Sequence, residues 1–199
     1  MKVLVIGAGH VGGAAVDALK ARGHDVVAAT RSSSPPVDAR DPASIEALFA
    51  AIGSVDAIVT ALGSAPFKPL ADLTRDDYAA GYAGKVQTQL DVVRIGTSHL
   101  VDGGSLTVTT GVLAREPIRT GAASSMANGA LEAFVMAAAV ELPRGIRINA
   151  VSPTVLVEST SHHAAFPGFT QVSAAAVGQA YVKAVEGVQT GQVYVLDGR

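Results

Sequence analysis

Cysteine is absent from the chain, which excludes disulfides and thiolate metal ligation. Charge of one sign is also lacking: 15 basic residues against 17 acidic ones leave a net charge of -2. A field that weak gathers neither nucleic acid nor an anionic membrane. Long apolar runs are missing too. The opening run Val3-Leu4-Val5-Ile6 stops at Gly7; it is too short for a signal-peptide core and reads as a strand. The most apolar later stretch, residues 134–140, lies between Glu132 and Glu141 and falls far short of a bilayer span. The five histidines have no spacing with Asp or Glu that suggests a metal site. What remains is a soluble, cytoplasmic chain of 199 residues, 49% of them hydrophobic. That length suits one domain, 1–199, with a substantial core.

Apolar, β-branched stretches alternate with helix-favouring ones. Strands are expected at residues 3–6, 25–30, 56–62, 106–110, 146–151 and 193–196. Helices are expected at 11–22, from the Asp41-Pro42 start, at 75–100, 122–142 and 173–186. Such alternation implies an α/β fold, a Rossmann-type doubly wound parallel sheet with helices on both faces. Ligands in such sheets bind beyond the carboxyl ends of the strands, where the connections reverse direction.

At the first of these ends stands Gly7-Ala8-Gly9-His10-Val11-Gly12. The motif follows a strand and opens a helix, which turns peptide N–H groups and the helix dipole toward a pyrophosphate. Gly7 permits the tight turn, Gly9 lets the phosphates approach, and Gly12 or Gly13 lets helix and strand pack closely. His10 and Val11 sit inside this cofactor-binding turn. The second strand ends at Thr30 and continues Arg31-Ser32-Ser33-Ser34. No carboxylate is present there to repel a 2′-phosphate, and Arg31 offers a planar donor fork. NADP(H) is therefore the expected cofactor, with NAD(H) as the alternative.

Several segments resemble the short-chain dehydrogenase/reductase family, and together they cover nearly the whole chain. Val37-Asp38-Ala39-Arg40-Asp41 looks like that family's acidic turn after its third strand, which implies that Asp38 lies near the adenine. Thr60-Ala61-Leu62-Gly63 is similar to its Asn-Asn-Ala-Gly strand end. Gly104-Ser105-Leu106-Thr107-Val108-Thr109-Thr110 matches its fifth strand. Arg147-Ile148-Asn149-Ala150-Val151-Ser152-Pro153 is close to its Asn-x-Val-x-Pro-Gly segment, and residues 190–198 read like its last strand. The resemblance adds Ala61, Leu62, Gly63, Pro153 and Thr154 to the cofactor contacts.

The family's acid/base Tyr and its helper Lys map onto Ser124 and Asn128, its Ser onto Gly111 or Thr110, and its supporting Asn onto Ala83. Thr110, Ser124 and Asn128 are thus the expected polar contacts to substrate, with Asn128 also on the cofactor ribose. The first turn is a residue shorter than the family's, and Pro-Gly becomes Pro153-Thr154. Tyr82 and Lys85 lie three apart on the expected helix; ideal helical geometry turns them away from the site as a solvated pair. His162, His163, Phe166, Pro167 and Phe169 fall where the family carries a mobile lid, and read as an ordinary loop. His10 is placed to meet phosphate, whereas His24 and His99 are structural.

The resemblance implies an NADP(H)-binding oxidoreductase that moves hydride between nicotinamide and a small carbonyl or alcohol. A non-catalytic dinucleotide-binding module, such as a redox sensor or regulatory protein, is the competing reading. A homodimer is implied through residues 75–100 and 122–142, where Phe134, Val135 and Met136 exceed the needs of one core face.

Overall fold

A parallel sheet sets the frame. The computed structural model describes residues 1–198. Its strands are Lys2–Ile6 (β1), Asp25–Ala29 (β2), Val55–Thr60 (β3), Leu100–Thr109 (β4), Arg147–Pro153 (β5) and Val193–Leu196 (β6). They form one six-stranded sheet in the order β2-β1-β3-β4-β5-β6, with every pairing parallel. The α-helices are His10–Ala21 (α1), Pro42–Ile52 (α2), Arg75–Gly81 (α3), Thr88–Gly96 (α4), Ala122–Ala138 (α5) and Ala174–Glu186 (α6).

Both sheet faces are covered, and β1 shows why its sequence is unbroken in apolar character. Leu4 and Ile6 pack with Ile45, Leu48 and Phe49 of α2, Val92 of α4 and Val135 of α5. Val3 and Val5 face the other way, against Ala15 and Leu19 of α1 and Val177 and Tyr181 of α6. Leu19 is fully buried; burying such a side chain is worth about 1.5–3 kcal/mol. Gly178 lets α6 cross α1 closely, since a Cβ there would lie 2.7 Å from the Ala14 carbonyl oxygen. Helix starts follow local chemistry. Asp41 accepts from Ala43 N at 3.0 Å, with Pro42 in the first turn of α2.

The structure departs from the sequence reading in four places. Among the described residues no third strand lies between β2 and Val37, unlike the family pattern that the Asp38 turn suggested. Two prolines there lack N–H donors, and Ser33 Oγ instead binds Thr30 N at 2.8 Å and Pro35 O at 2.7 Å. β4 begins earlier than expected, at Leu100, because its register shifts between the Val55–Leu100 and Ala57–Ser105 pairings. The expected helix over 75–100 is broken by a π-helical stretch, Tyr82–Gln87, between α3 and α4. Finally, α5 stops at Ala138, and its apolar excess is smaller than expected: Val135 is fully buried and Phe134 packs on the core, leaving Met136 exposed.

The chain leaves β1 for β2 on one side and returns to β3 on the other. The resulting crevice opens at Ile6–Gly7 and at Thr60–Gly63, beyond the carboxyl ends of β1 and β3. Among the described residues no helix is long and apolar enough to cross a membrane.

Candidate functional site

The glycine turn is built by close backbone approach. Gly7 has φ +92° and donates to Ala29 O at 2.9 Å. A Cβ on Gly7 would lie 2.4 Å from Ala61 O, and one on Gly12 would lie 1.9 Å from Gly7 O. Gly12, not Gly13, is therefore the close-packing glycine; a Cβ on Gly13 would meet nothing within 4 Å. Gly9 is different again, for a Cβ there also meets nothing within 4 Å. The cradle is open just where a phosphate would enter. Gly9 caps α1 without any side-chain hydrogen bond, so the first N–H groups, including those of His10, Val11 and Gly12, keep their capacity for an anion.

This turn is one wall of a cleft of about 410 Å³ that continues along Arg31, Asp38 and Arg40 to Leu62 and Gly63. Arg31 and Arg40 are both exposed there. Arg40 is a cation that the sequence reading passed over, although it stands in the quoted Asp38 segment. Asp38 Oδ1 accepts from Arg40 N at 3.0 Å, which folds this turn over the cleft. Ser32 hydrogen-bonds to Thr30 through its backbone N–H, at 3.2 Å. The His10 ring takes a different partner from the phosphate expected for it: Nδ1 lies 2.9 Å from Ser159 Oγ, in the segment after β5.

A second pocket, about 290 Å³, adjoins this cleft at Gly63 and Ser64. The end of β4 supplies Thr110 and Gly111, α5 supplies Ser124 and Asn128, and the end of β5 leads into Pro153 and Thr154. The segment after β5 covers it with Ser159, His162 and Phe166; Phe166 stacks edge-on with Phe169. His163 turns away to the Leu156 carbonyl, at 2.9 Å. A larger crevice, about 580 Å³, runs along the flank of α3 and α4. Neither Lys85, Ser124 nor Asn128 lines it, but it meets the cofactor cleft at Ala39, Arg40, Ser64, Gly84 and Thr88.

The polar groups of the second pocket are unevenly committed. The Thr110 hydroxyl donates to Glu132 Oε1 at 2.9 Å. That hydrogen is directed into the protein and away from a reacting oxygen, contrary to the role expected for it. Glu132, buried on α5, also accepts from Ser152 Oγ at 3.0 Å and pairs with Arg115. A buried carboxylate needs such partners. By contrast, Asn128 Oδ1 and Thr154 Oγ1 are buried and have no hydrogen-bond partner. Orphaned polar atoms of this kind are costly unless a ligand or water completes them. Gly111 is small enough to admit the Asn128 amide; a Cβ there would lie 3.2 Å from its Nδ2.

Lys85 is the residue that the sequence reading misplaced. It lines the pocket, and its Nζ donates to the Thr110 carbonyl at 3.3 Å. Burial pulls its ammonium down from 10.5 to about 8, and Glu132 holds part of that back. The cause of the misplacement is the π-helical stretch. Bonding to i+5 takes more residues per turn, so a heading computed from α-helical spacing drifts. Tyr82, expected beside it, stays exposed, so the two do not form a solvated pair. Gly81 and Gly84 were the only cue in the sequence, and glycines alone do not announce a π turn.

The open cradle at Gly9, the two arginines and the orphaned Asn128 and Thr154 atoms suit a dinucleotide lying across both cavities. Among the described residues no cluster of three His, Asp or Glu is placed to hold a metal ion.

Comparison with known proteins shows the family and the fold. A family model described as enoyl-(acyl carrier protein) reductase matches residues 7–196. An uncharacterized oxidoreductase of Methylorubrum extorquens is 31% identical over 156 residues, 78% of this chain and 62% of that protein. The chain thus spans less than two thirds of that relative's length. L-xylulose reductase of Bos taurus is 29% identical over 175 residues, 78% of this chain and 72% of the reductase. Among solved structures, the protein lin1944 from Listeria innocua has a TM-score of 0.94 at 45% identity, covering 98% of each chain. A small-chain dehydrogenase in complex with NADPH has a TM-score of 0.87 at 24% identity, covering 100% of this chain and 97% of the other; at that identity the likeness is one of fold.

Proposed function

The chain belongs to the short-chain dehydrogenase/reductase family of oxidoreductases, and from that premise we propose that it binds NADP(H) and reduces a small carbonyl, or oxidises the matching alcohol. The observation that carries this reading is the continuity of the two cavities. Gly63 and Ser64 line both the cleft at the glycine turn and the pocket holding Ser124, Asn128 and Thr154. The glycine turn, with Ala61, Leu62 and Gly63 opposite, would hold the pyrophosphate. Arg31 and Arg40 would hold the 2′-phosphate, with Ser32 and Asp38 beside them. Asn128, Pro153 and Thr154 would hold the nicotinamide riboside. A bound reduced nicotinamide supplies hydride to a carbonyl carbon, and the protein's part is to orient it and exclude water. NADPH held by a structural neighbour of the same fold supports this choice of cofactor.

Fluorescence titration with NADPH and NADH tests the assignment. NADPH should bind more tightly, and Arg31→Ala should weaken NADPH by roughly 10–100-fold while sparing NADH, as expected for losing a charge-assisted contact of about 1.5–3 kcal/mol. Equal dissociation constants in the wild type would show that no 2′-phosphate is recognised. One observation favours a second reading, a dinucleotide-binding module without catalysis: no tyrosine lines the pocket. Tight NADPH binding without oxidation across a panel of aldehydes and ketones would establish that reading instead.

A further inference from the structure

The family resemblance puts the proton-transfer group on α5, where Ser124 and Asn128 have no proton to exchange near neutral pH. The pocket nevertheless contains a lysine, and it arrives from a different element. Three observations place Lys85 at the reacting end. Its stem crosses the junction of the two cavities: a Cβ on Gly63, which has φ +113°, would lie 2.8 Å from Lys85 Cα and 2.8 Å from its Cγ. Its Nζ reaches the Thr110 carbonyl at the end of β4, in the pocket that Ser124 and Asn128 line. That single acceptor leaves two of the three ammonium hydrogens for other partners. The π-helical stretch that aims it is fixed by tertiary contact, since Ser64 N donates to Gly84 O at 3.3 Å.

We propose that Lys85 is the catalytic acid/base of this protein, exchanging a proton with the oxygen of the carbonyl or alcohol substrate. This rests on the function proposed above. In the reducing direction the carbonyl carbon accepts a hydride from the reduced nicotinamide and the C=O π pair moves onto oxygen. The oxygen then takes a proton from Lys85 Nζ. Lys85 is left as the neutral amine and regains a proton from solvent. The sum is a carbonyl, a reduced cofactor and one proton giving an alcohol and an oxidised cofactor. Ser124, on the facing helix, is placed to donate a hydrogen bond to the same oxygen. Thr110 acts as a positioning residue, its hydroxyl on Glu132 and its carbonyl on Lys85.

The charged and titratable groups around Lys85 are Glu132 on α5, Arg115 after β4, which pairs with Glu132, and His162 in the pocket cover. Desolvation lowers the ammonium toward the working range of a general acid, to about 8. Reduction requires the protonated form, so kcat/KM should fall as pH rises through that value.

The test combines binding, titration and rate. Reductive ¹³C-dimethylation of the lysines, with Lys85→Arg to assign the signal, reads the Lys85 titration in the unligated protein. Its midpoint should lie well below the ordinary 10.5. Lys85→Met should keep NADPH affinity within about threefold by fluorescence while losing ~10²–10⁴-fold in kcat/KM on a carbonyl panel. Lys85→Arg should keep the positive charge, yield no proton and abolish the alkaline limb, which His162→Gln should retain. An ordinary lysine midpoint, or a Lys85→Met enzyme with wild-type rate and pH profile, overturns the assignment of Lys85 alone. Wild-type protein that binds NADPH without turnover overturns both the acid/base role and hydride transfer. Absent NADPH binding overturns the proposed function itself.

Discussion

Gly9 and Gly12 stand three residues apart in one turn, yet a methyl group added to each has opposite consequences. On Gly12 it would collide with backbone, 1.9 Å from the Gly7 carbonyl oxygen. That overlap must move α1 or β1, and overpacking of this kind costs ~1–3 kcal/mol or more. On Gly9 it would enter open space, and the backbone φ of -70° suits alanine. Gly12→Ala should therefore lower the melting temperature of the cofactor-free protein, whereas Gly9→Ala should leave it unchanged and weaken NADPH binding at least tenfold. Thermal denaturation and fluorescence titration on the two variants separate the effects; a Gly9→Ala protein that binds NADPH normally would remove the phosphate from this turn. The motif was legible in the sequence, but the division of labour among its glycines was not, because it depends on which carbonyl lies behind each Cα. Lys85 was missed for a related reason. Its chemistry was visible, but its direction depends on a helix distortion that no residue type encodes.

At the scale of elements, the edge that carries the site is stapled by Gln89 of α4. Its side chain is fully buried and satisfied at every position. Oε1 accepts from Thr60 Oγ1 at 2.5 Å and from Thr109 N at 2.9 Å; Nε2 donates to Thr109 O at 2.9 Å and to Leu62 O at 3.2 Å. One amide thus ties the end of β3, the end of β4 and the wall of the cofactor cleft. Gln89→Leu keeps the approximate volume and strands the Thr109 N–H and its carbonyl partners. We expect a loss of about 2–4 kcal/mol in urea denaturation, several times that of a typical single hydrogen bond, since unsatisfied buried groups cost ~1–3 kcal/mol each. A loss below 1 kcal/mol would mean that water replaces the amide. Strand and helix identities were largely legible from apolar runs and from caps such as Asp41-Pro42. The π-helical stretch and the early start of β4 were not, since both are set by neighbours distant in sequence, Ser64 for one and Val55 for the other.

For the molecule as a whole, the two helices on one sheet face are joined outside the core by Glu186. Arg22 holds it with bonds of 2.9 and 2.8 Å and His24 with one of 2.9 Å. These hydrogen bonds, Arg22 first, lower the Glu186 carboxyl from 4.5 to about 2. Asp77 falls from 3.8 to about 2 through Lys68 and the Thr74 cap. Both are carboxyls whose folded-state value is depressed, so the unfolded chain takes up protons first. Their stabilising contribution is complete above the ordinary values and is lost as pH falls toward 2. The melting temperature should decline over that window, and Glu186→Gln should flatten part of the decline. An unchanged slope would mean that the cluster is screened to nothing, as exposed pairs can be. The doubly wound architecture was the most legible feature of all, because alternating apolar strands and helices leave few other ways to bury both faces. The pairing of α1 with α6 was not foreseen, although Gly178 sits at their crossing.

The contact between His10 and Ser159, 2.9 Å between Nδ1 and Oγ, joins the two ends of the site. One partner belongs to the turn that would receive the phosphates, the other to the segment that roofs the reaction pocket, so neither can shift without the other registering it. Linkage between two such positions is reciprocal: whatever the first guest does to the roof, the roof does to the hold on that guest. Any gain in cofactor affinity from closing the roof is therefore matched by an equal gain in roof closure from binding the cofactor.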